Sequence, residues 1–344
     1  MERDEAERLF LPAAREAARA FPVADPRVSL VTVSENVTFR LTDGRTGEDW
    51  VLRLHRPGYN SAAELEAERV WTGALRAAGL AAPEPLPARD GRAFVAQPVE
   101  ATGETRLAGV TRWIDGEVLD DFLESPDRTG ERPLWFHRLG ALVARTHLQS
   151  EAWTPPPGFV RPWLDADGLM GPAPRWGPFW DHAALSAEDR ELVLAARDLL
   201  YARLSALPKE PAVFGMIHAD LHPGNLLVRE DGLAIIDFDD AAFGWRMYDI
   251  AVALTHQQAA PDFAAVRDAF LAGYREVRDL PEAEAAQLPQ FLLVRDLVQL
   301  GWLHERPEID AGDWLPGRIA QVRRGCLSLL AEEGSTRPPY PSIP

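Results

Sequence analysis

Apolar residues recur at helical spacing near the start of the chain. Leu9, Phe10, Ala13, Ala14, Ala17 and Phe21 predict an amphipathic helix over residues 5–21. The pattern then turns extended. Apolar runs at 28–33, 37–41 and 50–54, separated by the polar segment 34–36 and by the turn residues 42–44 and 46–48, predict a three-strand meander. A helix follows over 61–78, with Ser61 as its N-cap, Gly79 as its stop, and Leu65, Trp71, Ala74 and Leu75 on its apolar side. After the proline-rich connector 82–87, two more strands are expected at 93–98 and 107–113. Helical periodicity dominates the rest. Leu139, Leu142, Val143 and Thr146 mark a buried helix over 134–148, and Ser186 starts another that runs to 207. Further helices are expected at 250–256, 263–274, 284–304 and 314–330, before a loose proline-rich tail at 338–344.

Two stretches depart from simple periodicity. Residues 151–182 hold six prolines between 155 and 174 and the four tryptophans Trp153, Trp163, Trp176 and Trp180. They form no single regular element, yet the aromatics argue against a disordered linker. Two readings stand side by side: the rings wall an acceptor pocket, with Asp165, Asp167 or Asp181 as anchors for a cation, or they pin an irregular loop to the core. The second stretch is 214–249. Here the apolar runs 213–217 and 233–236 read as two short strands of one hairpin. Asp220 sits in a polar turn after the first, Asn225 follows five positions later, and Asp237 ends the second. Three oxygen-bearing side chains are thus expected at one end. Phosphoryl transfer from ATP needs such a set: a carboxylate to orient the attacking hydroxyl and take its proton, and an Asn and an Asp to hold magnesium. The protein-kinase signature spaces its catalytic Asp and Asn by the same five positions.

The residues His218-Ala219-Asp220-Leu221-His222-Pro223-Gly224-Asn225, followed by Ile236-Asp237-Phe238-Asp239-Asp240, resemble the aminoglycoside phosphotransferase and choline kinase-like family. The nearest branch is that of type II homoserine kinases and bacterial stress-response kinases. The resemblance covers most of the chain and implies an α+β, protein-kinase-like fold. Its small N-terminal lobe, 1–112, would bind nucleotide, and its larger helical lobe, 113–344, would carry catalysis and the acceptor, with a hinge near 112–116. It implies ATP and Mg2+ as cofactors, Asp220 as the catalytic carboxylate, and Asn225 and Asp237 as metal ligands. Arg53 falls where relatives carry a phosphate-binding lysine, a departure that changes reach but keeps the charge. Glu64, Glu66 and Glu68 are its candidate partners; the order Glu68, Trp71, Leu75 resembles the family's helix and favours Glu68. Ser34 and Asn36 occupy the place of a phosphate lid, in a turn without the usual glycines; taken alone, the segment reads equally as an ordinary hairpin turn. Arg112 and Ile114 would contact the adenine edge through their backbone. His222 is a secondary candidate for the γ-phosphate, His218 braces the loop, and Asp249 receives backbone amides of the catalytic loop. His147 reads as a core histidine. Asp239 reads first as an exposed loop carboxylate, with a place near the metal ions as the alternative, and Arg295, Asp296 and His304 read first as helix-surface charge, with a place facing the acceptor pocket as the alternative.

Charge and composition narrow the partners. A formal net charge of −17 argues against nucleic acid, whose phosphates require a basic surface. It is compatible with a cationic acceptor but reads first as a solvated acidic surface. Cys326 stands alone and so forms no internal disulfide, and no signal or membrane-spanning segment is visible; a soluble cytoplasmic protein is the expectation. The function expected is transfer of a γ-phosphate to the hydroxyl of a small molecule such as an aminoglycoside, homoserine or an amino alcohol. The alternatives are a Ser/Thr protein kinase of the stress-response type and a nucleotide-binding module without catalysis.

Overall fold

A computed structural model describes residues 3–34, 36–307, 309, 312 and 314–336; the expected tail at 338–344 and Glu35 of the 34–36 turn lie outside the described residues. In chain order the elements are α1 (Arg3–Ala18), β1 (Arg27–Val33), β2 (Val37–Thr42), β3 (Asp49–Leu54), α2 (Ala62–Ala77), β4 (Phe94–Val99), β5 (Glu104–Arg112), β6 (Glu117–Val118) and α3 (Leu119–Glu124). Next come α4 (Arg132–Ala152), β7 (Trp163–Leu164), α5 (Ala166–Met170), α6 (Ala187–Ser205), β8 (Phe214–Ile217), β9 (Leu226–Arg229), β10 (Gly232–Ile235) and β11 (Ala242–Trp245). The chain continues with α7 (Arg246–Thr255), α8 (Phe263–Val277), α9 (Glu282–Ala285), α10 (Leu288–His304) and α11 (Trp314–Thr336). The expected α+β class is present. The single helix foreseen over 284–304 is split into α9 and α10, with a proline in the first turn of α10, where its missing N–H costs nothing.

The chain forms two compact units. The first comprises residues 1–122, 154–161 and 224–239, and the second 123–153, 162–223 and 240–344. The chain therefore changes unit several times, where the sequence places one change near 112–116.

In the first unit, an antiparallel sheet has the order β1-β2-β3-β5-β4. Side chains alternate across a strand. One face buries Val37, Phe39, Leu41, Leu52 and Leu54 with Phe10, Ala14 and Phe21 of the α1 region, and is dry and apolar. Arg53, lying between Leu52 and Leu54, must then face the other way. Helix α2 is held at its start by a capping box, Ser61 accepting from the Glu64 amide and Glu64 from the Ser61 amide. A smaller sheet, β10-β9-β6, completes this unit.

The second unit is mostly helical, with a small sheet of order β7-β11-β8. Helices α4 and α8 cross closely because Gly140 and Gly273 lie at the contact: a Cβ on Gly140 would stand 2.0 Å from the Phe270 carbonyl oxygen, and one on Gly273 1.9 Å from that of His137. Among the described residues no helix is long and apolar enough to cross a membrane.

One expectation fails here. The strands before Asp220 and before Asp237 are not partners: β8 pairs with β11, and β10 pairs with β9. The apolar run that follows Asn225, Leu226-Leu227-Val228, is the true hairpin partner, across a two-residue turn closed by Gly232 at φ 131°.

Candidate active site

A cavity of about 640 Å³ lies within the first unit. Thr38, Val51, Arg53 and Thr111, the sheet residues that alternate with the dry core, line it. Ser34, Asn36, Glu68, Arg112 and Ile114 border it too, and so do Asn225 and Asp237. All eight residues expected in this unit thus face one space.

The β9–β10 hairpin explains the last pair. Leu226 and Ile235 are its final paired residues, and the Ile236 N–H donates to the Asn225 carbonyl at 3.0 Å. Asn225 and Asp237 therefore leave the hairpin at the same end. Asp237 does so at φ 61°, a left-handed conformation uncommon outside glycine and concentrated at functional sites.

Arg53 makes its ion pairs with Asp237 at 3.3 Å and Asp239 at 3.4 Å. Burial alone would favour its neutral form, but the charges of Asp237, Asp239 and Glu68 keep it protonated. Glu68 stands near enough to contribute charge, yet no direct Arg53–Glu68 ion pair is seen among the described residues, and Glu68 Oε2 is buried without a hydrogen-bond partner. Burial, reinforced by the negative charge of Asp239, pushes its carboxyl up to about 8. Asp239 is buried, not exposed as its loop position suggested. The Asn36 side chain donates to it and accepts from the Arg56 amide at 3.0 Å. Ser34 is exposed, its amide bonded to the Asn36 carbonyl. The Arg112 N–H is committed to the Glu84 carbonyl at 2.7 Å, and its guanidinium packs over Trp50.

Asp220 and His222 belong to the second unit. Asp220 follows Ala219, which is left-handed at φ 65°. The strain is supported from behind: the carboxylate of Asp249 accepts the Ala219 amide at 2.7 Å and the His218 amide at 3.2 Å. His147 Nε2 lies 3.2 Å from the same carboxylate and its Nδ1 2.8 Å from the Tyr274 hydroxyl. A carboxylate only accepts, so Nε2 carries the proton and Nδ1 accepts from Tyr274. Burial lowers the His147 pKa to about 4, leaving it neutral. The close α4–α8 crossing permits this arrangement, since His147 is on one helix and Tyr274 on the other.

Arg295 is the residue the sequence reading misplaced. It is buried, and its Nη2 donates to Asp220 Oδ1 at 2.5 Å while Nη1 lies 3.5 Å from the Tyr248 hydroxyl. On the other oxygen, His222 Nε2 lies 3.5 Å away. Burial works to raise the Asp220 pKa, but His222 and Arg295 together hold it well below the usual carboxylate range. A signal for Arg295 existed: α10 is apolar on nearly all sides, so a charge within it must be buried and paired. Asp296 is likewise buried, held by Gln258, Gln321 and Arg318. Arg161, which bonds the carbonyls of Glu64, Phe238 and Asp239, left no such signal.

The tryptophan-rich stretch is tied to elements outside it. Trp176 is buried, and Trp163 stacks on Phe214 and Phe243. Asp165 caps α5 and pairs with Lys209, Asp167 accepts from Tyr201, and Asp181 pairs with Arg190. The three candidate anchors are thus committed within the protein.

The phosphotransferase enzyme family matches residues 30–286. A homoserine kinase of Acidiphilium cryptum is 32% identical over 283 residues, 76% of this chain and 77% of that protein. The amicoumacin kinase of Bacillus subtilis is 25% identical over 320 residues, 90% of this chain and 89% of that one. Among solved structures, that of a microcompartment-associated aminopropanol kinase is 31% identical, covers 94% of this chain and 98% of its own, and superposes with a TM-score of 0.79.

Proposed function

We propose a reaction for this chain on the premise that it belongs to the phosphotransferase enzyme family and is a kinase of small-molecule hydroxyl groups: Mg2+-dependent transfer of the γ-phosphate of ATP to an amino-bearing alcohol. The observation that carries it is the hairpin end where Asn225 and Asp237 meet on the wall of the cavity that Arg53 also lines.

The residues fit the ion. An amide oxygen and a carboxylate are hard donors, and two of them suit a cation that keeps waters and phosphate oxygens for its other positions. Magnesium, when bound, neutralises charge on the transferring phosphate. Asn225 and Asp237 would hold it, and Arg53 would bind phosphate oxygens through its guanidinium fork. The apolar lining contributed by Val31, Phe94, Val110 and Ile236 suits a flat base. With the Arg112 amide already bonded to Glu84, its part in binding adenine falls to its carbonyl, beside the Ile114 amide. Asp220 orients the acceptor hydroxyl and receives its proton. Its low basicity is no obstacle, because a loose phosphoryl-transfer transition state releases that proton late and asks chiefly for positioning.

For the acceptor, support comes from the relatives: homoserine and aminopropanol each carry both an amine and a hydroxyl. The net charge of −17 favours a cation over an anion in solution. A nucleotide-consumption screen over amino alcohols, homoserine, aminoglycosides and generic protein substrates tests this. Turnover with amino-bearing small molecules is expected. Turnover only with protein, or with no acceptor at all, would contradict the reading.

A further inference from the structure

Asp239 sits two residues beyond Asp237, yet it is only 6% exposed. Both its carboxylate oxygens are engaged, Oδ2 by Asn36 Nδ2 and Oδ1 by Arg53 Nη1 at 3.4 Å. Its backbone carbonyl accepts from Asn60 Nδ2 at 3.0 Å and from Arg161 Nη2 at 2.6 Å. Asn36 is fixed in turn by the Arg56 amide. A carboxylate pinned on every side sets the direction of the guanidinium it holds. Glu68, with its unpartnered Oε2 and no direct ion pair to Arg53, does not.

We propose that Asp239, braced by Asn36, is the positioning residue that aims Arg53 at the nucleotide phosphates, the part that family resemblance gives to Glu68; the inference rests on the kinase reading above. Asp239 ties the turn after β1, strand β3 and the Asp237 loop into one hydrogen-bonded frame. It therefore acts on nucleotide affinity through Arg53 and is not a further ligand of the metal.

Titration calorimetry with ATP, in EDTA and again in excess magnesium, tests this on the full chain. Asp239→Asn, which keeps the shape and removes the charge, should weaken ATP binding about tenfold under both conditions, the scale of one charge-assisted hydrogen bond. The KM for ATP should rise by a similar factor with a smaller change in kcat. Arg53→Met should weaken binding at least as much, and the double variant no further than Arg53→Met alone. Asn36→Ala should give a smaller, equally metal-independent loss, and it decides the matter should Asp239→Asn fail to fold. A loss seen only with magnesium would make Asp239 a metal ligand and overturn the proposal. So would additive losses in the double variant, or unchanged affinity in a folded Asp239→Asn or Asn36→Ala protein. A wild-type protein that binds no ATP in either buffer would overturn the kinase reading itself, and this inference with it.

Discussion

Asp220 is a half-buried acid kept ionised by a guanidinium on one oxygen and an imidazole near the other. Asp220→Asn should cut transfer by about 10²–10⁴-fold while leaving ATP affinity near wild type, the signature of a group that acts on the hydroxyl and not on the nucleotide. Arg295→Met should act differently. Removing one of the cations that depress the Asp220 pKa lets that pKa rise, so the acid limb of the pH–rate profile should move to higher pH. An unmoved limb would show that Arg295 does not tune the carboxylate. Asp220, Asn225 and Asp237 could be singled out in the sequence because the roles proposed for them demand fixed spacing and side-chain type, and the structure brings Asn225 and Asp237 to one hairpin end. Asp239 and Arg295 were misread as solvated charge because their burial depends on partners such as Asn36 and Tyr248, distant along the chain. Spacing carries no record of such pairings.

Strands and helices were legible wherever one face is dry, as in the alternation that places Arg53 opposite Leu52 and Leu54. Pairing was not. The run Leu226–Val228 is short and follows a 3-10 turn, so its claim to be the partner of β10 was hidden beside the longer run before Asp220. Two predictions belong to elements. Gly140→Ala should destabilise the protein by about 3 kcal/mol, because the added methyl meets backbone that side-chain rotation cannot move; an unchanged urea midpoint would mean that α4 and α8 can separate at little cost. Ser61→Ala removes the hydroxyl that caps α2 and should cost about 1 kcal/mol in the same measurement.

Over the whole molecule, buried histidines set the acid side of stability. His147 and His55 are both held near a pKa of about 4 by burial, below the ordinary value of 6.5. The unfolded chain therefore binds more protons between these values, and stability should fall as pH drops from 6.5 towards 4, by up to roughly 3 kcal/mol for each histidine. Thermal melts of wild type across that range check the slope, and a flat profile would show that neither ring is held neutral. The division into two units was only coarsely legible, since a boundary drawn once along the sequence misses a chain that returns to the first unit at 154–161 and 224–239. That return is what delivers Asn225 and Asp237 to the cavity, with Asp220 five residues away along the chain. The most direct test of this account follows ATP by phosphorus NMR in the presence of an amino alcohol and magnesium. A new phosphomonoester signal should grow with wild type and be lost with chelator, with Asp220→Asn and with Asp237→Ala. No phosphomonoester from wild type with any acceptor, or equal yield from a folded Asp220→Asn variant, would contradict it.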